Sequence, residues 1–437
     1  MSNDTIAAIA TAAGVGGVGI VRLSGPEAIA IAADALGIAA DKLDRRVRVA
    51  WARDRQGRRL DQVLAFAMRA PASFTGEDVA ELQGHGGARN LERLLAAVLE
   101  RGARVAEPGE LTRRAVASGK LDLLRAEALL AVIHAGSERA WRMAQANLGG
   151  RLGEEAAAIE QRALALLAEL EGRIDFPDEE LELASASAID EELGALERAC
   201  ARFVDGFRHA RAVSRGVTVA LVGPVNVGKS SLLNALVGRE RALVGPAPGT
   251  TRDWLEVNDE WRGVAVTLVD TAGLRDSDDP VEQRGIGLGV ARVAEADVVL
   301  VINDGVAPWD DGERYGKRAV IVRSKSDLGG EARGALLTSA ASGIGLDELR
   351  ERVLMTAGVA DQEGSEQAFI TTARQHALAA AARAAFAAAR IARRAERPPE
   401  VVALELREAA AALAQLRGVE VGERVLDEVF ARFCIGK

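Results

Sequence analysis

The chain has 437 residues, of which 49% are hydrophobic but only 3% aromatic, and a formal net charge of −9. This length suits two or three domains with cores built from Ala, Leu and Val. The acidic balance argues against a broad nucleic-acid-binding surface, although local basic patches are compatible with it. Only Cys200 and Cys434 occur, too few for a disulfide framework, and neither a signal peptide nor a membrane-spanning apolar run is present. We therefore expect a cytoplasmic protein that does not cross a membrane.

The first part of the chain, residues 4 to about 114, alternates predicted strands with helices. Residues 14–19 satisfy the pattern G-x-G-x-x-G, but a dinucleotide-binding fingerprint must open a helix. Here residues 20–24 alternate as a strand does, and the next helix begins only at Glu27. We therefore interpret the match as a glycine-rich connection into a strand. His85 is predicted to be a loop residue rather than a metal ligand, because the other histidines are too scattered for a zinc site.

Helical patterns surround the middle of the chain. From about residue 121 to 211 apolar positions recur at three- and four-residue spacing, which predicts helices. Pro177 must end or break a helix there, and the acidic run at 175–182 is interpreted as a solvated turn rather than a binding site. Three later stretches are also predicted to be helical: 374–394, 401–417 and 423–433. Helices on both sides of an α/β segment at 216–358 indicate that this segment is inserted into one helical domain.

Residues 223–230, GPVNVGKS, fit the phosphate-loop pattern G-x-x-x-x-G-K-[ST] in every fixed position. A predicted strand at 217–222 enters the loop and a predicted helix from Ser231 leaves it, which is the context that the motif needs. Its glycines let backbone N–H groups wrap the phosphates, and Lys229 would reach the outer ones. Ser230 would offer its hydroxyl to Mg²⁺. The segment predicts a nucleotide triphosphatase.

Further motifs follow in the order of a GTPase. A switch threonine comes first, then the DxxG motif at 270–273, the base-reading motif at 324–327 and a closing loop at 338–341. Asp327 would accept two N–H groups of guanine, a charge-assisted pairing that adenine lacks, so guanine is favoured. The candidate GTP-binding residues are Asn226, Val227, Gly228, Lys229, Ser230, Ser231, Gly245, Pro246, Ala247, Pro248, Gly249, Thr250, Thr251, Asp270, Thr271, Ala272, Gly273, Ser324, Lys325, Asp327, Ser339, Ala340 and Ala341.

Two positions depart from the usual GTPase pattern. Ser324 stands where the base-reading motif has Asn or Thr, so one hydrogen bond to the base or to the phosphate loop is expected to be lost. At about 0.5–1.5 kcal/mol, the loss would weaken affinity about threefold to tenfold, and Ser324→Asn would restore it. Leu274 stands where Ras-like enzymes carry the water-orienting Gln. Either hydrolysis is slow, or other groups act; Asn226 and residues 245–250 could offer oxygen ligands to a monovalent cation.

The chain ends in Phe-Cys-Ile-Gly-Lys. A cysteine fourth from the end invites a prenylation interpretation, but Gly436 is not aliphatic and Lys437 is an unusual final residue. Two alternatives remain: Cys434 is simply a tail residue, or the tail folds back into a site.

Motifs along nearly the whole chain resemble those of the MnmE (TrmE) family of tRNA-modification GTPases. Besides the GTPase motifs and the terminal Cys-Ile-Gly-Lys, they lie at 4–6, 16–20, 73–79, 81–87, 108–110, 120–122 and 176–180. The resemblance implies a multidomain α/β plus all-α fold. An N-terminal α+β domain, 1–118, would bind tetrahydrofolate and dimerise. A helical domain in two parts, 119–215 and 359–437, would be interrupted by a Ras-like P-loop GTPase domain, 216–358.

The resemblance also implies a function. Members of the family are potassium-dependent, Mg²⁺-using GTPases that modify the wobble uridine of certain tRNAs at position 5, as a carboxymethylaminomethyl or aminomethyl group. They act as homodimers and form a heterotetramer with the FAD-dependent protein MnmG (GidA), taking a one-carbon unit from 5-formyl- or methylene-tetrahydrofolate. Two alternatives stay open: a ribosome-assembly GTPase of the Era or EngA kind, which the net charge of −9 disfavours, or a nucleotide-regulated scaffold without chemistry of its own.

Carried over by motif, the resemblance assigns roles to particular residues. For folate they are Arg22, Glu81, Lys120 and Lys437, with the cations at the glutamate tail and Glu81 at the other end. For K⁺ they are Asn226, Gly245, Ala247 and Thr250, and for Mg²⁺ Ser230 and Thr251. The candidate catalytic residues are Glu282, which would steer water, Arg252, Asp270 and Cys434. Pro246 and Pro248 depart from the family's potassium loop, but K⁺ needs only carbonyls, so we expect the site to persist.

Overall fold

The computed structural model describes residues 4–175, 185–238, 255–270, 291–306, 308–329, 331–359, 368–419 and 421–436. The chain forms two compact units. Unit 1 comprises residues 1–130 and 417–437, and unit 2 comprises residues 131–416. The division into four segments that the family resemblance implies, with boundaries at about 118, 215 and 358, stays a prediction.

The secondary structure in the described ranges is mixed. The strands are β1 Ile6–Ile9, β2 Val18–Ser24, β3 Arg48–Arg53, β4 Arg59–Met68, β5 Val79–His85, β6 Arg104–Val105, β7 Val217–Val222, β8 Leu255–Trp261, β9 Val264–Asp270, β10 Val298–Asn303, β11 Ala319–Arg323 and β12 Leu336–Leu337. The α-helices are α1 Ala28–Leu36, α2 Ala88–Leu99, α3 Glu110–Ala117, α4 Leu123–His134, α5 Glu138–Leu148, α6 Arg151–Asp175, α7 Ala186–Arg215, α8 Lys229–Val237, α9 Leu346–Thr356, α10 Ala373–Arg394, α11 Pro399–Arg417 and α12 Glu423–Phe430. Short 3₁₀ turns cover Ala40–Lys42, Glu313–Arg318 and Ser326–Leu328.

Unit 1 is built on a six-stranded sheet in the order β3-β4-β5-β2-β1-β6. Alternate residues of β2 and β5, such as Val21 and Leu82, are buried in one core with α1 and α2. The glycine-rich segment does lead into a strand, β2, so the expected strand connection is confirmed. The placement of His85 in a loop is wrong, because the pairing of β2 with β5 runs as far as Val18 opposite His85. The ring Nδ1 of His85 lies 2.7 Å from Asp61 Oδ1.

Several family motifs in unit 1 serve a half-buried ionic network. Arg114, with a side chain only 10% exposed, contacts Asp4, Glu77 and Glu110 at 2.7–3.1 Å. Burial raises the pKa of Glu110, but hydrogen bonds from Arg104, the Glu107 amide and Arg114 outweigh it and hold that pKa below its usual range. Glu77 belongs to the motif at 73–79 and Glu110 to the motif at 108–110. Through Arg114, these two carboxylates connect the motifs at 73–79 and 108–110 to Asp4, two residues before β1.

The C-terminal tail folds back onto the first residues of unit 1. Phe430 and Phe433 are 2% and 4% exposed, and they pack with Ala126. Gly109, at φ +69°, lies so close to the backbone of the tail that a Cβ at this position would be only 2.6 Å from Phe430 O. Gly436, at φ +97°, lies against the end of β1, because a Cβ at this position would be 2.1 Å from Ile9 O. The tail is therefore held by close backbone contacts, and its entry into a functional site stays a prediction.

Unit 2 contains a second six-stranded sheet, in the order β12-β11-β10-β7-β9-β8, whose neighbours are parallel except for the β8–β9 hairpin. The predicted strand at 217–222 is confirmed as β7, and α8 follows the phosphate loop. In the same unit α7 packs along α10. The predicted helix at 374–394 is confirmed by α10, and the one at 401–417 by α11; the last helix, α12, ends earlier than expected. None of the helices in the described ranges is long and apolar enough to cross a membrane.

The turn of the β8–β9 hairpin is fixed to α5. The Arg139 N–H donates to Gly263 O at 3.1 Å. A Cβ on Gly263, which has φ +76°, would lie 2.9 Å from Arg139 Cγ. Trp261 shares one buried cluster with Ala140 and Met143 of α5. The hairpin that ends at Asp270 is thus held at its turn by the helical part of the unit.

Phe433→Ala is expected to lower the local free energy of unfolding of unit 1 by about 3–5 kcal/mol, because it removes a buried aromatic ring. Ile435→Ala is the matched control in the same tail, since Ile435 is 54% exposed, and should cost less than about 0.5 kcal/mol. Amide hydrogen exchange in α3 and α4 measures the local effect in a multidomain chain. Equal protection in the two variants would contradict the packing described for the tail.

Candidate functional site

The backbone of the phosphate loop has conformations that residues other than glycine rarely adopt. Gly223 has φ +149°, and a Cβ there would lie 2.4 Å from Ile302 O, so only glycine fits. Asn226 and Gly228 also have positive φ, +63° and +100°. Gly228 is the N-cap of α8, and no side chain in the described part of the chain caps that helix. The N–H groups of its first turn are therefore available to an anion, which helix N-termini favour.

Lys229 is held inside this loop. Its ammonium donates to Gly223 O at 2.8 Å and to Pro224 O at 2.9 Å, and the residue is only 9% exposed. Burial lowers the pKa of Lys229, while the nearby Asp270 carboxylate acts in the opposite direction. The cation thus lies within reach of any group that the loop binds.

Ser230 and Asp270 form the second element of the site. The Ser230 hydroxyl donates to Asp270 Oδ2 at 2.8 Å, and Asp270 is 6% exposed at the end of β9. The register of β7 and β9, which pairs Leu221 with Asp270, brings the two motifs together. A hydroxyl and a carboxylate are the hard oxygen ligands that Mg²⁺ prefers, with phosphates and water completing the shell. These two residues fit a magnesium ion.

A cavity of about 590 Å³ lies beside the phosphate loop, where the base-reading motif and the closing loop meet the start of α8. Asp327 lines it as an exposed residue of the 3₁₀ turn. Lys325 joins two sides of the site, because its ammonium donates to Asn226 O at 2.8 Å and pairs with Asp304 at 3.1 Å. The lining residues are Gly228, Ser231, Leu232, Asn234, Ala235, Gly238, Ser324, Lys325, Asp327, Thr338, Ala340, Ala341 and Leu346.

The expected loss of a bond at Ser324 is wrong for the phosphate loop. The Ser324 hydroxyl lies 2.6 Å from Val227 O and 3.2 Å from Asn303 O, and the residue is 5% exposed. A hydroxyl can therefore make the contact to the loop without the amide of Asn, because β11 ends close enough to the Val227 carbonyl. Because this bond is already present, it gives no reason to expect tighter nucleotide binding from Ser324→Asn.

Asp304 is a site residue that the sequence analysis missed. Its side chain is 12% exposed and pairs with Lys325. The available signal was a polar pair, Asn303 and Asp304, directly after the apolar residues of β10. Polar residues at the carboxyl end of a buried parallel strand commonly face the ligand in α/β folds.

Part of the predicted nucleotide site lies outside the described residues: Gly245, Pro246, Ala247, Pro248, Gly249, Thr250, Thr251, Arg252, Thr271, Ala272, Gly273, Leu274 and Glu282. So do Pro177, most of the acidic run at 175–182, and Lys437. Ser339 is described and fully buried, and its N–H donates to Ile344 O at 3.0 Å, so it shapes the closing loop.

The predicted folate residues of unit 1 are only partly brought together. Arg22 Nε donates to Glu81 Oε1 at 2.8 Å, and Gln83 Nε2, which the sequence analysis missed, donates to Glu81 Oε2 at 2.9 Å. The Arg22 guanidinium lies 6.0 Å from the Phe74 ring centroid. The expectation that Arg22 and Glu81 mark opposite ends of a ligand is wrong, since the register of β2 and β5 places them side by side.

Lys120 and Cys434 are the other predicted residues of unit 1 that the structure describes. Lys120 is exposed, and its Cγ lies 3.4 Å from the position of a Cβ on Gly76. The loop at 73–76 therefore contacts both Arg22, through Phe74, and Lys120, through Gly76. Burial raises the pKa of Cys200 to about 12, whereas Cys434 is exposed. Of the two thiols, only Cys434 is accessible to a reaction partner.

The phosphate loop, the serine–aspartate pair and the base-reading cavity together define a P-loop GTPase. The family model described as the MnmE helical domain matches residues 123–434, and the one described as the GTP-binding protein TrmE N-terminus matches residues 5–120. The chain therefore belongs to the MnmE family of tRNA modification GTPases.

Curated relatives are similar to this chain over nearly their full length. The chain is 43% identical to a tRNA modification GTPase MnmE of Synechococcus sp. (strain RCC307), covering 100% of this chain and 99% of the relative. It is 40% identical to that of Geobacter metallireducens, covering 99% of each. Among solved structures, the G domain of the T. maritima FeoB iron transporter is 28% identical, covering 32% of this chain and 98% of the other, at a TM-score of 0.26.

Asp327→Asn is expected to weaken GTP binding more than about 100-fold, because it removes two charge-assisted bonds of about 1.5–3 kcal/mol each. Ser324→Ala, the control beside it, should cost about twofold to tenfold, the worth of one neutral bond. Titration with fluorescent nucleotides measures both. Xanthosine triphosphate, which offers a carbonyl where guanine has an amino group, should bind Asp327→Asn better than GTP does. Similar affinity loss in the Asp327 and Ser324 variants would exclude Asp327 as the base-reading residue.

Proposed function

We propose that this chain is a potassium-dependent GTPase that modifies the wobble uridine of certain tRNAs together with an FAD-dependent partner of the MnmG (GidA) kind. The product would be a carboxymethylaminomethyl or aminomethyl group at position 5, built with a one-carbon unit from 5-formyl- or methylene-tetrahydrofolate. One observation carries the proposal: the likeness to relatives named tRNA modification GTPases covers at least 99% of this chain and of those relatives. The scarcity of cysteines favours a cytoplasmic location.

The nucleotide chemistry follows from residues of unit 2. Lys229 and the first-turn N–H groups of α8 would hold the β- and γ-phosphates, while Ser230, with Asp270 beside it and Thr251, would hold Mg²⁺. The Asn226 carbonyl already accepts from Lys325 at 2.8 Å, which leaves its side-chain oxygen for K⁺, together with carbonyls of Gly245, Ala247 and Thr250. Glu282 would steer the attacking water in place of the missing glutamine, and Arg252, which follows Thr251 in the sequence, is the other proposed catalytic residue.

The one-carbon chemistry is proposed for unit 1. Both Glu81 oxygens accept a hydrogen bond, from Arg22 and from Gln83, but each oxygen has a second lone pair for a pterin N–H group. Arg22 uses its Nε in this pair, so its outer N–H groups can bind a carboxylate or carbonyl of the ligand. Lys120 and Lys437 would bind the glutamate tail. These donors and acceptors fit a reduced folate, and Cys434 would lie near its one-carbon group.

An exposed apolar sheet face supports the proposed homodimer. Val47, Val49 and Leu64 are 60%, 65% and 43% exposed in unit 1. Val49 lies opposite Leu64 in the β3–β4 pair, so the side chains share one face. Apolar patches of this kind mark association surfaces. The heterotetramer would then contain two copies of this chain and two of the flavoprotein.

The decisive experiment is reconstitution. The purified chain, its flavoprotein partner, GTP, Mg²⁺, K⁺, methylene-tetrahydrofolate and an amine, either ammonium or glycine, should convert uridine 34 of a substrate tRNA, measured by mass spectrometry of nucleosides. A ribosome-assembly GTPase or a scaffold would leave the nucleoside unchanged while still binding GTP.

GTP hydrolysis should be fast in KCl and slow in NaCl, because Na⁺ is smaller and fits the same oxygens poorly. Asn226→Ala should remove most of the difference between the two salts, since it deletes a proposed ligand. Steady-state phosphate release at matched ionic strength measures the effect. Equal rates in both salts for the folded wild-type chain would refute potassium dependence.

Removal of residues 434–437 should abolish tRNA modification and leave GTP hydrolysis largely intact. The deletion takes away Cys434 and Lys437, and among its described residues, 434–436, it removes no large buried side chain, since Ile435 is 54% exposed. Single-turnover modification and GTPase assays on the same preparation give the two readouts. Normal modification by the truncated chain would refute the role of the tail, and loss of both activities would indicate misfolding.

A further inference from the structure

The helical part of unit 2 carries its positive charge unevenly. Arginines on its α6, α10 and α11 helices are mostly paired with acids: Arg162 with Glu192 at 2.7 Å, Arg394 with Asp190 at 2.8 Å and Arg407 with Glu171 at 2.6 Å. The last 18 residues of α7, by contrast, contain five arginines and one acid, Asp205. That acid lies 3.4 Å from Arg383 of α10. The C-terminal half of α7 is therefore a basic surface on a chain of net charge −9.

Three of these arginines form a row, here called the α7 row: Arg208, Arg211 and Arg215. They are exposed, and their spacing of three and four residues places them on one face of the helix. The opposite face, with Ala210 and Val213, is buried against the GTPase core. Within the described part of unit 2, no carboxylate lies within ion-pair distance of any of the three. Arg208 spends one N–H on Thr356 O at 2.8 Å.

We propose that the α7 row binds the phosphate backbone of the tRNA substrate. The inference rests on the proposed function, which makes tRNA the partner. The row is about 10 Å long at 1.5 Å per residue, a length over which one strand of a duplex presents about three phosphates. Guanidinium groups match phosphate oxygens in a bidentate manner, and they are weakly hydrated, so an unpaired row of them favours a polyanion. The contact would position the tRNA without reading its sequence.

The test compares two triple variants with the same loss of charge. R208Q/R211Q/R215Q removes the α7 row, while R162Q/R394Q/R407Q removes three exposed arginines that are paired with acids. Binding of a fluorescent tRNA is measured by anisotropy at several KCl concentrations. The α7-row variant should bind at least about tenfold more weakly, and the magnitude of the slope of log K against log salt should fall by about 2 to 3, as expected for three lost phosphate contacts. The control should keep the wild-type slope.

A third variant separates charge from folding. R208K/R211K/R215K keeps three cations, so it should retain most of the wild-type salt slope, while GTP hydrolysis and melting temperature show whether each variant is folded. An unchanged slope in the glutamine variant, or equal changes in both glutamine variants, would overturn the proposal. So would normal tRNA binding with weakened binding to the flavoprotein, which would make the row a protein interface. Failure of the wild-type chain to modify tRNA would instead refute the proposed function.

Discussion

The nucleotide site depends on hydrogen bonds that join the base-reading motif to the phosphate loop. The two motifs follow β11 and β7, which are separated in the sheet by β10. Backbone pairing alone therefore does not connect them. The connection is made by side chains that donate to loop carbonyls: Ser324 to Val227 and Lys325 to Asn226. Since the loop needs positive φ at Asn226 and Gly228, these bonds stabilise a backbone that would otherwise be strained.

Much of the nucleotide site could be predicted from the sequence, because its motifs combine fixed spacing with a fixed local structure. The phosphate loop lies between a strand and a helix as its pattern predicts, Asp270 lies at the end of a strand, and Asp327 lies in the turn that follows β11. The bond at Ser324 could not be predicted in the same way, because it depends on the position of a carbonyl nearly a hundred residues away in the chain. Asp304 was missed for a similar reason: its role follows from the lysine that the sheet brings beside it.

In unit 1, too, local structure could be predicted from the sequence, but contacts between distant parts of the chain could not. The alternation of residues 20–24 correctly predicted a strand, but the side-by-side position of Arg22 and Glu81 follows from the register of β2 and β5, which the sequence does not reveal. The strand pairing that includes His85 was missed for the same reason. The family motifs also turned out to be mixed in role, because Glu77 and Glu110 contact Arg114 and so hold the fold together. A motif therefore identifies a family more reliably than it identifies a ligand contact.

The fixed turn of the β8–β9 hairpin has a mechanical consequence. Arg139 and Gly263 hold one end of the hairpin against α5, whereas the other end carries Asp270, beside the Ser230 hydroxyl. β9 has seven residues, or about 23 Å, and pairs with β7 from Val266 to Asp270, so a displacement at the turn reaches Asp270 through the sheet. The contact with α5 and the hydrogen bond between Ser230 and Asp270 are therefore connected mechanically through one paired strand.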